Sequence, residues 1–350
     1  MENLTKVIIP DSVTTIGASA FIGSINLKSI TLPNSVTSIG NHAFGSSGIT
    51  NITISDSVTK IGNYAFFGCE NLTSITLPNT ITTIEDGTFR SCTNLKNITI
   101  PDSVTSIGQE AFKGSGLTDI TIPNSVTTID PSAFNYCSNL TNINVNNHNK
   151  YSSIDGVLYS KQLNELISYP CGKENNSFAI PDSVITIGKE AFSYCDGLTS
   201  ITFPDSVTTI GNWAFYFCDN LVNISFGKGL KVIGECGFYE CHKLTSVILP
   251  EGTPTIKPYA FVWTRVKEVY VPASVKELDY EAFEYSMLTN VYFGGSKAQW
   301  DKINFKTDEE NYDYDNDGRS FIIETANIHF NHSIEPAAGD CGENVTWNYD

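Results

Sequence analysis

Leu198-Thr-Ser-Ile-Thr-Phe-Pro-Asp-Ser-Val-Thr-Thr-Ile-Gly-Asn-Trp-Ala-Phe-Tyr-Phe-Cys-Asp-Asn220 decides the fold. Ser200 to Phe203 alternates polar and apolar residues at the period of a half-buried strand, and Pro204 ends it by removing a ladder donor. Ser206-Val-Thr-Thr-Ile-Gly211 supplies a second extended piece on the opposite side of a coil, and Gly211 suits a turn that needs positive φ. Ala214 and Phe215 then place a small and a large apolar residue on a helical or 3₁₀ turn, with the ring filling the coil.

The same template recurs along the whole chain. Its Phe stands at Phe21, Phe44, Phe66, Phe89, Phe112, Phe134, Phe192, Phe215, Phe238, Phe261 and Phe283, at steps of 22 or 23 residues with one step of 58. Counting from the opening residue, coils begin at Leu4, Leu27, Ile49, Leu72, Leu95, Leu117, Leu140, Asn175, Leu198, Leu221, Leu244, Val266 and Leu288. Apolar residues take places 1, 4, 6, 10, 13, 17 and 18 in the template read at Leu72 to Asn94 and Leu198 to Asn220. One coil cannot enclose those side chains by itself, so stacking on neighbours is required. The period therefore predicts a repeat solenoid: an arc with a parallel β-sheet on its concave side and short extended and helical or 3₁₀ turns elsewhere. At about 4.8 Å per strand, thirteen coils extend roughly 60 Å.

The pattern Leu-x-x-Ile-x-Leu-Pro-x-x-Val-x-x-Ile-x-x-x-Ala-Phe-x-x-Cys resembles the leucine-rich repeats of the BspA-like surface-protein class, over residues 4 to about 305. Tyr151-Ser-Ser-Ile-Asp-Gly-Val-Leu-Tyr-Ser160, followed by Leu163 to Pro170, is similar to the β-hairpin such proteins carry between repeats. Asp155-Gly156 is its tight-turn dipeptide. Ala298 to Ile303 and Ala326 to Phe330 resemble the closing segment of these arrays, and Cys341 to Trp347 resembles the opening of a further β-rich module. The expected organisation is a solenoid over 1–305 with an insertion at about 146–174, a closing segment with an acidic loop over 306–332, and a linker with the start of another module over 333–350. Met1 occupies the place of a repeat Cys, so the chain reads as an excerpt of a longer protein.

Composition narrows the partners. Thirty-eight acidic against 21 basic residues give a net charge of -17, which repels phosphate backbones and anionic lipid, so nucleic acid and membrane insertion are poor candidates. No run approaches 18 consecutive apolar residues. Six of the nine cysteines, Cys69, Cys92, Cys137, Cys195, Cys218 and Cys241, share place 21. Adjacent coils bring them within disulfide range, but reduced thiols acting as small buried hydrophobes are the preferred reading, because shorter coils delete the place without other compensation. The five histidines are scattered and there is no G-x-S-x-G, H-E-x-x-H or Walker loop, so the chain reads as non-enzymatic.

Two sets of residues carry candidate binding chemistry. Asp313, Asp315, Asp317, the Arg319 carbonyl and Glu324 fit the calcium-loop spacing D-x-D-x-D-G-x5-E, with a solvated acidic loop as the other reading. No cofactor is required, and calcium is the one that this spacing admits. Place 5 of each strand should point outward; it is mostly Thr in the first half and becomes Tyr270 and Tyr292 near the other end, so these two are expected to be exposed contact residues. A second aromatic stripe at places 19 and 20 includes Tyr239, Trp263 and Tyr285, either as packing between turns or as a partner surface. The resemblance implies a monomeric adhesion scaffold, secreted or at a cell surface, which recognises protein or glycan of the host extracellular matrix or of neighbouring cells. The alternatives are a structural spacer that holds other modules away from a surface, or a calcium-dependent binding module.

Overall fold

The computed structural model describes residues 4–306 and 322–333. It is a β-solenoid whose strands stack in parallel from coil to coil, and the chain divides into two compact units. The first comprises Met1–Asn175 with Gly188–Gly197, the second Asn176–Ile187 with Leu198–Asp350.

In the first unit the opening strands that form pair in register with the copy one coil on. Asn51–Thr53 lies beside Ser74–Thr76, and Asp119–Ile122 beside Asn142–Val145, all parallel. The second extended piece forms its own parallel ladders: Thr15–Ile16, Ser38–Ile39 and Lys60–Ile61, then Thr83–Ile84, Ser106–Ile107 and Thr128–Ile129. Coils opening at Leu4, Leu27 and Leu95 have no first strand. Single bonds such as Thr50 N–H to Lys28 O at 3.0 Å and Thr118 N–H to Lys96 O at 3.0 Å still tie the latter two to the coils that follow. The insertion is the expected hairpin, with Tyr151–Ile154 antiparallel to Val157–Ser160 through Asp155 (φ 49°) and Gly156 (φ 76°). A third strand, Glu165–Ser168, joins it.

In the second unit Ser177–Ala179, Ser200–Thr202 and Asn223–Ser225 form one parallel ladder. Ser246–Ile248, Glu268–Val271, Asn290–Phe293 and Asn327–Phe330 form another, so the final strand closes this sheet. The second extended piece stacks from Thr186–Ile187 through Thr209–Ile210, Val232–Ile233, Thr255–Ile256 and Glu277–Asp279 to Asn304–Lys306.

The third side of the coil is not the helical turn that the sequence predicts. Among the described residues a 3₁₀ helix forms there only at Tyr280–Phe283. In most other coils successive amides alternate in direction. Tyr64, Phe66 and Gly68 donate to Asp86, Thr88 and Arg90 of the next coil at 2.8, 3.0 and 2.8 Å, while Ala65, Phe67 and Cys69 donate back to Gly62, Tyr64 and Phe66 at 3.2, 3.0 and 3.1 Å. A helix would spend every N–H on itself, whereas this alternation leaves each second one to bond along the stack. It requires positive φ at Tyr64 (57°) and at Gly68 (66°), places 16 and 20 of the coil.

The glycine at place 14, read in the sequence as a positive-φ residue, is not one: Gly40, Gly62, Gly108 and Gly234 have ordinary φ. Close approach explains it instead. A Cβ at Gly40 would lie 2.6 Å from Ala18 N, and one at Gly234 would lie 2.7 Å from Asn212 N. Where Asp replaces it, at Asp130 and Asp279, the carboxylate accepts the N–H two residues on (both 2.9 Å) and place 16 has no positive φ.

The interior of each unit is a file of stacked rings. Phe21, Phe44, Phe66, Phe89, Phe112 and Phe134 lie 5.3 to 5.7 Å apart in the first, and Phe215, Phe238, Phe261 and Phe283 lie 4.9 to 5.3 Å apart in the second. In the first unit Tyr169 of the insertion stacks on Phe192 at 4.9 Å.

The cysteine column is mostly as expected. Cys69, Cys92 and Cys137 are free and buried, and each thiol donates to the carbonyl of the Phe one coil back (Phe44, Phe66 and Phe112) at 3.0, 3.2 and 3.0 Å. Cys195 departs from the reduced reading and forms a disulfide with Cys171, because the insertion returns the chain with Cys171 a Cα–Cα distance of 4.6 Å away. Burial pushes the Cys69 and Cys137 thiols from 9.0 up to about 11, against smaller opposing effects of hydrogen bonds from Ser47 and Ser115. These thiols should resist alkylation at pH 8 in the native chain and react fully in denaturant, read by peptide mass spectrometry. Unfolded, they ionise near pH 9, so the stability they contribute is intact below that value and drains away as pH rises to about 11.

Candidate binding surface

The strand face carries the polar column where the sequence places it. Thr53, Thr76, Thr99 and Thr121 are exposed in the first unit, as are Thr202 and Ser225 in the second. Over the strand segments of the first unit a groove of 560 Å³ is lined by Asn97, Thr99, Asp119, Thr121, Asn124 and Asn146, among others. Its walls are amide, hydroxyl and carboxylate groups over an apolar floor that includes Ile120 and Ile122.

Tyr270 and Tyr292 break the column. Expected as exposed contact residues, they are only 4% and 2% exposed. The closing strand Asn327–Phe330 and His332 just after it cover them. The Tyr270 hydroxyl donates to Glu251 Oε1 at 3.0 Å and to the His332 carbonyl at 3.4 Å; Tyr292 stacks on His329 at 4.9 Å and meets His332 edge-on at 5.0 Å. Burial and the neighbouring Glu251 raise the Tyr270 hydroxyl pKa, so it stays protonated as a donor. Both rings close the sheet rather than face a partner, and their removal would read packing before binding.

The turn-side stripe is the exposed aromatic surface of the second unit. Trp263 and Tyr285 stack at 4.6 Å with planes 10° apart and remain 44% and 45% exposed. Tyr239, half-buried, stacks on Tyr216 at 5.3 Å. Phe217 (φ 56°), Glu240 (55°), Trp263 (56°) and Tyr285 (53°) all stand at place 20, where backbone bonding along the stack demands the left-handed region. The sequence located these rings but gave no sign of their backbone, because the glycine that marks this place at Gly23, Gly68 and Gly114 is missing here.

Asp313, Asp315, Asp317 and Arg319 of the acidic loop lie outside the described residues, as does the Glu324 side chain. Among the described residues no group of three or more His, Cys, Asp or Glu side chains could hold a metal, and no helix is long and apolar enough to cross a membrane.

A family model described as the BspA type leucine rich repeat region matches in six copies, over residues 1–90, 59–170 and 162–289. Among solved structures, a leucine rich cell surface protein from Faecalibacterium prausnitzii is 34% identical, with a TM-score of 0.67 over 84% of this chain and 86% of that one. A leucine-rich repeat protein from Bacteroides ovatus is 27% identical, with a TM-score of 0.53 over 85% of this chain and 76% of its own. The pneumococcal vaccine antigen PcpA, at 20% identity and a TM-score of 0.60 over 92% and 78% of the two chains, shares the fold. Comparison with curated proteins finds no match.

Proposed function

Because the chain belongs to the BspA-type leucine-rich repeat family, we propose that it is a non-catalytic recognition scaffold, secreted or displayed at a cell surface. Its partners would be proteins or glycans of the extracellular matrix or of neighbouring cells, met by the chain as a monomer. The observation that carries this reading is the exposed Trp263–Tyr285 stack. Large rings half open to water supply contact area at little entropic cost, which is the composition of binding hot spots rather than of inert surface. The Thr column and the polar groove on the strand face offer a second, hydrogen-bonding surface. The structure of a protein described as a cell surface protein, at 34% identity, supports the location.

The test is binding of the chain to a broad panel of matrix proteins and glycans. For a ligand so found, Trp263→Ala is expected to lower affinity about 30-fold, the size of a hot-spot residue. No binding above background across the panel would instead leave the chain as a spacer between other modules.

A further inference from the structure

The turn flank of the second unit is acidic as well as aromatic. Places 15 to 22 of its coils, from Asn212 to Met287, carry Asp219, Glu235, Glu240, Glu281 and Glu284 against a single Arg265, with His242 held by Asp219 at 2.9 Å. None of Glu235, Glu240 or Glu281 forms a salt bridge with a described residue. Basic residues on the same flank of the first unit are held by carboxylates: Arg90 and Lys113 by Glu110, and Lys189 by Glu190 at 3.5 Å.

We propose that the flank formed by Tyr239, Trp263 and Tyr285 with Glu240 and Glu284 docks a lysine- or arginine-rich protein segment. The proposal rests on the recognition-scaffold reading and names the chemistry of the partner. A guanidinium or ammonium group gains both from the ring quadrupoles and from carboxylates one place away along the chain, whereas a neutral glycan gains from the rings alone. An anionic partner is repelled. Net charge of -17 speeds the approach of a cationic segment, and the ring cluster fixes where it lands. Burial and the nearby Asp219 raise the Glu240 carboxyl above its ordinary range, opposed by His242; an arriving cation relieves that penalty. The positions are also costly to hold. A ring in the left-handed region costs about 1–2 kcal/mol that glycine avoids, and at the same place the first unit uses Gly23, Ser46, Gly68, Ser91 and Gly114, turning to Tyr136 and Tyr194 only around its insertion.

That backbone supplies a clean test. In the full chain, Trp263→Gly combined with Tyr285→Gly removes the rings while relieving φ, so the melting temperature should stay close to that of the parent. Fluorescence anisotropy would follow labelled peptides of alternating Arg and Gly, Glu and Gly, and Ser and Gly. The Arg peptide is expected to bind and the other two are not. The double-glycine variant should weaken the Arg peptide by tenfold or more without altering net charge. Glu240→Gln with Glu284→Gln should weaken it too and flatten its salt dependence, while Asp11→Asn with Asp56→Asn, exposed in the first unit outside its groove, should not. An Arg peptide that binds the double-glycine variant as well as the parent overturns the proposal, because the attraction is then bulk charge alone. Absence of Arg-peptide binding in a chain that still captures a glycan or matrix protein through the same rings overturns the cationic partner and leaves the scaffold reading standing. Silence from every peptide and every panel member sinks both.

Discussion

Phe66→Ala is expected to cost the first unit about 3–5 kcal/mol, read as a lowered urea midpoint. Phe66 is fully buried and lies between Phe44 at 5.3 Å and Phe89 at 5.7 Å, with planes within 8° of both. Truncation therefore opens a cavity bounded by rings that the two neighbouring coils hold in place. Collapse is resisted, because the backbone at this point bonds in both directions along the stack: Phe44 N–H to Ala65 O at 2.8 Å and Phe66 N–H to Thr88 O at 3.0 Å. Each lost ring contact adds about 0.5–1.5 kcal/mol beyond area, so a double-mutant cycle between Phe44 and Phe66 should show coupling. Trp263→Ala, at an exposed stack, should cost far less. A loss below about 1 kcal/mol at Phe66 would mean that the rings do not share one filled interior.

What the sequence made legible were features repeated from coil to coil or signalled by a local turn dipeptide. The Phe column, the two extended pieces and the Asp155-Gly156 hairpin all follow from side-chain types whose preferences act locally. The remainder depended on contacts that no period encodes. Tyr270 and Tyr292 occupy an outward place by the strand rule, and they are covered because the closing strand sets His329 on Tyr292 and His332 beside both rings. Cys171 stands outside the column, yet the insertion changes the register and brings it to Cys195. The turn side was misread because its two left-handed places hold residues such as Tyr64, Trp213 and Trp263, which argue for any conformation but that one.

The reassigned role of the place-14 glycine leads to a second large effect. Gly62 has ordinary φ, and a Cβ there would lie 2.3 Å from Asn41 Oδ1, 2.7 Å from Asn41 N and 2.9 Å from Gly40 C. Two of those atoms are backbone and cannot rotate away. The third belongs to a side chain that accepts the Asn63 N–H at 3.1 Å, so moving it breaks a rung between coils. Gly62→Ala must therefore push the two coils apart where Gly62 N–H meets Ile39 O at 2.9 Å, and overpacking of this kind costs about 1–3 kcal/mol, with the broken rung adding about 1. Gly114 is the matched control: its φ is +66° and the nearest atom to an added Cβ is Tyr136 Cδ1 at 3.5 Å, an ordinary contact. Gly114→Ala should cost only the left-handed preference, about 1 kcal/mol. If spacing between coils is what selects glycine at place 14, thermal melts will rank Gly62→Ala well below Gly114→Ala. The reverse order would restore backbone conformation as the cause and leave the close approach without consequence.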